Sequence, residues 1–423
     1  MSGCGPMQPA FLGPQHPHEE YRKGLEKAGL DGTALGRAWM HAAEQALRDT
    51  VQIITPFSES AYFAAAEPLA LGYRMQVRRG ERVRITADVT ASDTTKVFLD
   101  VYETRVGEDR LKHVASAGDA PVLEFTAGRD REYVVRVQPE LLRSARITIT
   151  MTTGASLEFP VAGQDSRSIR SFFGDARDGG RRRHEGVDAF APRGTPLISV
   201  VNGTARAANN RLGGKVVWVH DHQNNLNLYY AHLDSQYVGM MKQVQIGDTI
   251  GTVGNTGNAK HTPPHLHFGI YARGEGAVDP LPFLNTPLQE PPPITAELQL
   301  LEAPARISAK NAELRVSPAA KAAVLEKLPQ HTYVTITAAA GDHYRVRHGA
   351  ITGYVRARDV TGTEKSIRKI DLATATPLLD APDPLAAPLR ELGPGEQVEM
   401  LAVNGSYGIV RTTDDALGWM FLE

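Results

Sequence analysis

At 423 residues, 42% of them apolar and 22% charged, the chain has the composition of a folded multidomain protein and excludes a disordered or fibrous one. A formal charge of −2 offers no general attraction to nucleic acid or to an anionic membrane, and no stretch approaches the roughly 18 uninterrupted apolar residues that a membrane helix needs. The single cysteine, Cys4, excludes an internal disulfide and a cysteine-based zinc site, so any metal falls to His, Asp or Glu.

In chain order, residues 1–18 read as a flexible segment, small, polar and Pro-rich, with no apolar signal-peptide core. Ser2-Gly3-Cys4 resembles the end of a bacterial lipoprotein signal, which makes Cys4 a candidate lipid anchor; a chance cysteine in a loose tail is the plain alternative. Residues 19–48, rich in Glu, Lys, Ala and Leu, predict helix with a Gly-containing break at Leu30-Asp31-Gly32. Residues 50–162 change to period-two alternation, as in Tyr73-Arg74-Met75-Gln76-Val77 and Arg82-Val83-Arg84-Ile85-Thr86, with turns such as Arg79-Gly80-Glu81 between. Short strands at this spacing predict a β-sandwich, and with no polar cluster suited to chemistry it reads as an accessory domain.

A second β-rich block, 168–287, is the expected catalytic domain, and Pro291-Pro292-Pro293 marks a stiff Pro-rich linker over 288–306. An internal repeat follows over 307–362 and 363–423. In the first copy Pro318 precedes a closing Gly353-Tyr354-Val355 by 35 residues; in the second Pro382 precedes Gly418-Trp419-Met420 by 36. The repeat resembles a pair of small SH3-like barrels of the bacterial wall-associated kind, whose family role is to bind wall peptides or glycan and so to tether a catalytic domain. Packing modules with no ligand are the alternative.

Seven of the 14 histidines fall between His184 and His267. His265-Leu266-His267 precedes the strand-like Phe268-Gly269-Ile270-Tyr271. On a strand, residues two apart share a face, so both imidazoles project together while Leu266 and Phe268 face a core. Two adjacent imidazoles are costly to bury unless they share a metal or a proton-transfer task. His184-Glu185-Gly186-Val187-Asp188 is not the H-E-x-x-H zinc helix, since its fifth residue is Asp and Gly186 disfavours helix. Fully extended, it would hold His184 and Asp188 about 13 Å apart at Cα, too far to share an ion, so the chain is expected to turn, with Gly186 giving the freedom. In Leu228-Tyr229-Tyr230-Ala231-His232-Leu233, period two places Leu228, Tyr230 and His232 on one face.

Together with Phe173-Gly174-Asp175, Gly247-Asp248-Thr249-Ile250-Gly251-Thr252-Val253-Gly254 and Pro263-Pro264, these segments resemble the lysostaphin-type zinc endopeptidases of peptidoglycan, over about residues 171–280. The resemblance implies Zn2+ held by His184, Asp188 and His267, with His232 and His265 catalytic. It implies hydrolysis of peptide cross-links or cross-bridges in the wall, and therefore an extracytoplasmic place of action. Two His and one carboxylate leave the fourth position of a tetrahedral zinc open for water, as in catalytic sites. Such a zinc brings the water's pKa toward about 7. His232 and His265 can share proton transfer and oxyanion stabilisation. His220, His222 and His261 read as surface or supporting residues, Arg181-Arg182-Arg183 as a basic loop able to meet a stem-peptide carboxylate, and Asn255, Asn258 and Tyr230 as groove-lining candidates. The expected architecture is thus mainly β and multidomain: N-terminal helix, β-sandwich, lysostaphin-type catalytic β domain and two SH3-like barrels. The rival readings are a non-catalytic wall-binding or amidase-activating protein of the same fold, and a zinc endopeptidase acting on ordinary proteins.

Overall fold

The computed structural model describes residues 16–104, 111–284 and 290–422, so Cys4 lies outside the described residues. The chain is mainly β. Two helices, Pro17–Lys27 and Ala34–Arg48, open it. Pro17 suits the first turn, where its missing N–H costs nothing, and Glu19, Glu20 and Lys27 suit the first helix's dipole, while Thr33 caps the second by accepting from Gly36 N at 3.0 Å. Gly36, Trp39, Ala43 and Ala46 form the second helix's buried stripe. The helix lies so close to the neighbouring sheet that a Cβ on Gly72 would meet Ala46 O at 1.7 Å. Trp39 Nε1 donates to Pro139 O at 2.9 Å, which fixes the helix on the strand Arg131–Pro139.

Two sheets share the core beneath. One orders the strands Val51–Gln52, Leu71–Val77, Arg131–Pro139, Val97–Glu103 and Lys112–Ser116. The other contains Phe57–Phe63, Ala145–Ala155, Glu81–Thr90 and Val122–Thr126. Their inward residues, among them Leu71, Tyr73, Ile85, Leu99, Ile147 and Ile149, are almost fully buried.

The block that carries the histidines is built on a sheet ordered Ile169–Ser171, Val187–Phe190, His265–Ala272, Leu226–Leu233, Gly214–Asp221, Gly203–Asn210 and Lys242–Val244. One face packs Val187, Leu228, Tyr230, Leu266, Phe268 and Ile270 into a core, which leaves the other face for the site. Phe283 anchors this block to the N-terminal unit. Its ring lies where a Cβ on Gly80 would sit, 2.3 Å away, and its carbonyl accepts from Leu157 N at 3.0 Å.

The segment expected as a stiff linker is, from Ile294 on, part of a core: Ile294, Ala296, Leu298, Leu300 and Leu301 pack with Leu314, Val334, Tyr344 and Val355. Two small antiparallel units follow. Their repeat is visible in the pairing, since Arg315 faces Tyr354 in the first and Leu379 faces Trp419 in the second. The first unit is joined to the N-terminal one by strand pairing, because Ser60 faces Ala339 and one continuous sheet runs through both. At that seam Glu59 is completely buried. It accepts from Tyr73 Oη at 2.6 Å and Tyr354 Oη at 2.7 Å, with Arg345 Nη1 at 3.4 Å. Arg306 Nη1, donating to Leu401 O at 2.6 Å, ties the two C-terminal units together.

Candidate active site

Strand register brings the metal-ligand candidates together. Val187–Phe190 runs antiparallel to His265–Ala272 with Asp188 opposite His267 and Phe190 opposite His265. On the other side Ala231 faces His267. Leu266 and Phe268 point into the core, so His265, His267, Gly269 and Tyr271 share the open face.

His184, Asp188 and His267 converge there. His184 Nε2 lies 3.0 Å from Asp188 Oδ1 and 2.9 Å from His267 Nδ1, and His267 Nδ1 is 3.0 Å from Asp188 Oδ1. Their donor atoms all fall within 4.8 Å of one another. His184 Nδ1 gives its hydrogen to Phe172 O at 2.9 Å, so a neutral His184 presents a lone pair at Nε2. A lone pair 3.0 Å from a carboxylate oxygen is repulsive unless a cation lies between them. The donor set therefore fits a divalent metal, with two imidazole nitrogens and one carboxylate as zinc prefers. Asp188's second oxygen accepts from Arg177 Nη2 at 2.7 Å, and the same guanidinium donates to Ser171 Oγ at 2.6 Å. Burial opposes the charge on Asp188, but its close polar contacts with the two imidazoles, His184 and His267, outweigh it and hold the carboxyl well below the ordinary range. Burial also pushes the His267 imidazole down, which favours the neutral ligand form.

His232 and His265 stand beside this trio with ring centroids 5.0 Å apart, and His232 is 6.0 Å from His267. Each gives its Nδ1 hydrogen to a backbone carbonyl, His232 to Thr256 O and His265 to Pro263 O, both at 2.9 Å. That fixes the tautomer and leaves both Nε2 atoms as acceptors when neutral. Burial, followed by His265, lowers the His232 pKa to about 4, so it is neutral at pH 7. His232 reaches this face through an irregularity. Lys215 pairs with Leu233 and Val217 with Tyr230, so Ala231 and His232 together oppose Val216. This is a β-bulge, and with His232 at φ 66° it turns the imidazole to the open side.

Three expectations change here. Tyr230 does not line the groove. It is fully buried, its hydroxyl accepting from Val200 N at 3.3 Å, because strict alternation up to the bulge points it into the core. Gly186 is required for space, not for a left-handed turn. It is absent from the positive-φ residues, yet a Cβ there would meet Phe268 O at 2.5 Å and His267 Cε1 at 2.8 Å. His220 and His222 lie off the cleft, bonded to Asn227 and Thr204, and His261 is not among the cleft-lining residues. Asn255 is held by the carbonyls of Lys260 and Thr262, whereas Asn258 does line the cleft.

Residues 182–280 match Peptidase family M23. The chain is 40% identical over 139 residues to the L-Ala–D-Glu endopeptidase of Bacillus subtilis, a match covering 30% of this chain and 42% of that protein. It is 34% identical over 115 residues to the peptidoglycan DD-endopeptidase ShyC of Vibrio cholerae, covering 26% of each. The chain thus spans less than half the length of these relatives. Among solved structures, the catalytic domain of lysostaphin from Staphylococcus simulans is 30% identical, with 28% of this chain and 92% of that one covered at a TM-score of 0.26.

Within residues 182–280 the five histidine and aspartate positions picked from sequence share one cleft of about 1010 Å3. Sequence reasoning missed the residues that support them. Arg177 and the Phe172 carbonyl orient the ligand side, and Trp218, Tyr229 and Tyr271 form an aromatic floor, with ring centroids 4.4 Å apart for Trp218 and Tyr229 and 5.4 Å for Trp218 and Tyr271. Period two in 226–233 would have nominated Tyr229 once Tyr230 was taken as core.

Proposed function

We propose that this chain is a zinc-dependent endopeptidase that hydrolyses peptide bonds of bacterial peptidoglycan and acts outside the cytoplasm. The observation that carries the reading is the convergence of His184, Asp188 and His267 on one point, beside two histidines whose acceptor nitrogens are fixed by backbone carbonyls. His184 and His267 supply neutral imidazoles and Asp188 the charge, while Arg177 keeps the carboxylate turned toward them. When bound, zinc supplies Lewis acidity that polarises a carbonyl and acidifies water.

The remaining steps belong to the chain. His232 and His265 would accept a proton from the attacking water and return it to the departing amine, and as imidazolium they would stabilise charge on the carbonyl oxygen. Asn258 and the aromatic floor give a peptide backbone polar and flat partners. The named activities of the relatives, an L-Ala–D-Glu endopeptidase and a DD-endopeptidase, support a wall peptide as substrate. The two C-terminal units, read as SH3-like, would hold the wall against the enzyme. The test is cleavage of isolated wall peptides by purified protein before and after chelation: activity should vanish with the metal and return with zinc. Cleavage that survives complete metal removal would reject the mechanism.

A further inference from the structure

The charges around the cleft do not match the charge of the chain. The protein as a whole is at −2, yet the cleft is lined by five arginines, Arg170, Arg177, Arg182, Arg183 and Arg211, against two carboxylates, Glu185 and Asp188. Asp188 is already engaged by Arg177, and Glu185 accepts from Tyr271 Oη at 3.2 Å. Among the described residues, Arg183 and Arg211 are exposed and form no ion pair, although both line the cleft. They come from separate elements. Arg183 ends the short strand before His184, and Arg211 sits in the hairpin turn between Gly203–Asn210 and Gly214–Asp221. That turn is held to the site itself, since His232 N donates to Gly213 O at 2.7 Å and Asn258 N to Leu212 O at 3.0 Å.

We propose that Arg183 and Arg211 select substrate: the cleft takes peptides with a free carboxylate close to the scissile bond and discriminates against neutral, glycine-rich bridges. The proposal rests on the peptidase reading and adds its specificity. The physical basis is twofold. A concave site lined by one sign of charge concentrates oppositely charged ligands, and a guanidinium meets a carboxylate through paired hydrogen bonds that an amide or a glycine cannot reproduce. Because these contacts lie beside the reacting atoms and are made equally before and during reaction, they act on KM more than on kcat.

The experiment uses the zinc-loaded full chain and two synthetic peptides of the wall-stem type that differ only in glutamate against glutamine next to the scissile bond. Calorimetry gives their dissociation constants, and turnover gives kcat and KM, each at low and high salt. The glutamate peptide should bind at least about tenfold more tightly at low salt, and added salt should narrow the gap. Arg183→Gln and Arg211→Gln should each shrink the preference through KM with zinc content unchanged, whereas Arg183→Lys should retain part of it. Equal affinity for the two peptides, or a preference untouched in both glutamine variants, would overturn the proposal. Preferential binding of the acid peptide with neither peptide cut would leave the selection standing and reject the peptidase reading instead.

Discussion

Asp188 and His267 face each other across one antiparallel strand pair, and the Asp188 oxygen that meets His267 Nδ1 at 3.0 Å also meets His184 Nε2 at 3.0 Å. A single carboxylate oxygen thus serves both imidazoles, and Arg177 occupies the other oxygen. Replacing Asp188 by Asn should remove the charge without changing the shape, and zinc content measured by mass spectrometry should fall to a small fraction. A full complement of zinc in Asp188→Asn or His267→Ala would place the metal elsewhere.

Arg177 donates to Asp188 Oδ2 at 2.7 Å without belonging to the proposed ligand trio. Arg177→Met should weaken zinc binding by about 10- to 100-fold, the usual scale for partners one step removed from a metal. Saturating zinc should restore most of the turnover, a rescue that a collapsed fold would not show. Gly186→Ala should also weaken zinc binding, since its methyl group would press on His267. Unchanged affinity in both variants would contradict the positioning roles.

His232 and His265 make no contribution to the proposed ligand set. His232→Ala and His265→Ala should keep zinc and lower kcat by about 100-fold or more, as expected for general acid–base groups. Normal turnover in either variant removes that residue from the mechanism.

His18 supplies a pH test far from the site. It is buried, stacked on Trp39 with centroids 4.6 Å apart, and bonded to Gln138 at 2.7 Å. Burial, then Arg136, lowers its pKa from 6.5 to about 4. Between those values the unfolded chain binds a proton that the folded chain refuses, so stability falls as pH drops from about 6.5 to about 4. The loss is up to about 3 kcal/mol. His18→Gln should flatten this part of the stability profile, and an equal slope in both proteins would contradict the account.

The seam at Glu59 bears on the C-terminal units. Removing Arg345, which is buried in the shared sheet beside Glu59 and Tyr354, should cost about 3–5 kcal/mol, the scale for stranding one partner of a buried ion pair. Arg345→Met should lower the thermal midpoint, and Glu59→Gln in the same protein should recover part of the loss. A midpoint unchanged in Arg345→Met would mean that the two units are not coupled. The strand pairing also means that deleting 294–423 exposes a sheet edge and strands Glu59, so the first C-terminal unit is no free tether.

The sequence made local parity readable and long-range placement unreadable. His265 and His267 share a face because strand period two demands it, and Leu266 and Phe268 fill the core as the same rule requires. For His232 that rule pointed the wrong way. A bulge opposite Val216 separates it from Tyr230, and nothing in Tyr230-Ala231-His232 marks the extra residue. Gly186 was legible as a required glycine, but its reason, the approach of the Phe268 carbonyl and the His267 ring, depends on a strand about 80 residues away. Glu59 reads as an ordinary polar strand residue because its partner Arg345 is 286 positions distant. Arg177 was hidden similarly, since only the folded loop brings it to Asp188.

The most direct test of the central claim is digestion of purified sacculi by the zinc-loaded full chain, with the released fragments read by mass spectrometry. New amino and carboxyl termini should appear at one class of wall peptide bond and be lost on chelation and in His265→Ala. Sacculi that keep every peptide bond, in the presence of protein carrying one zinc per chain, would contradict the claim.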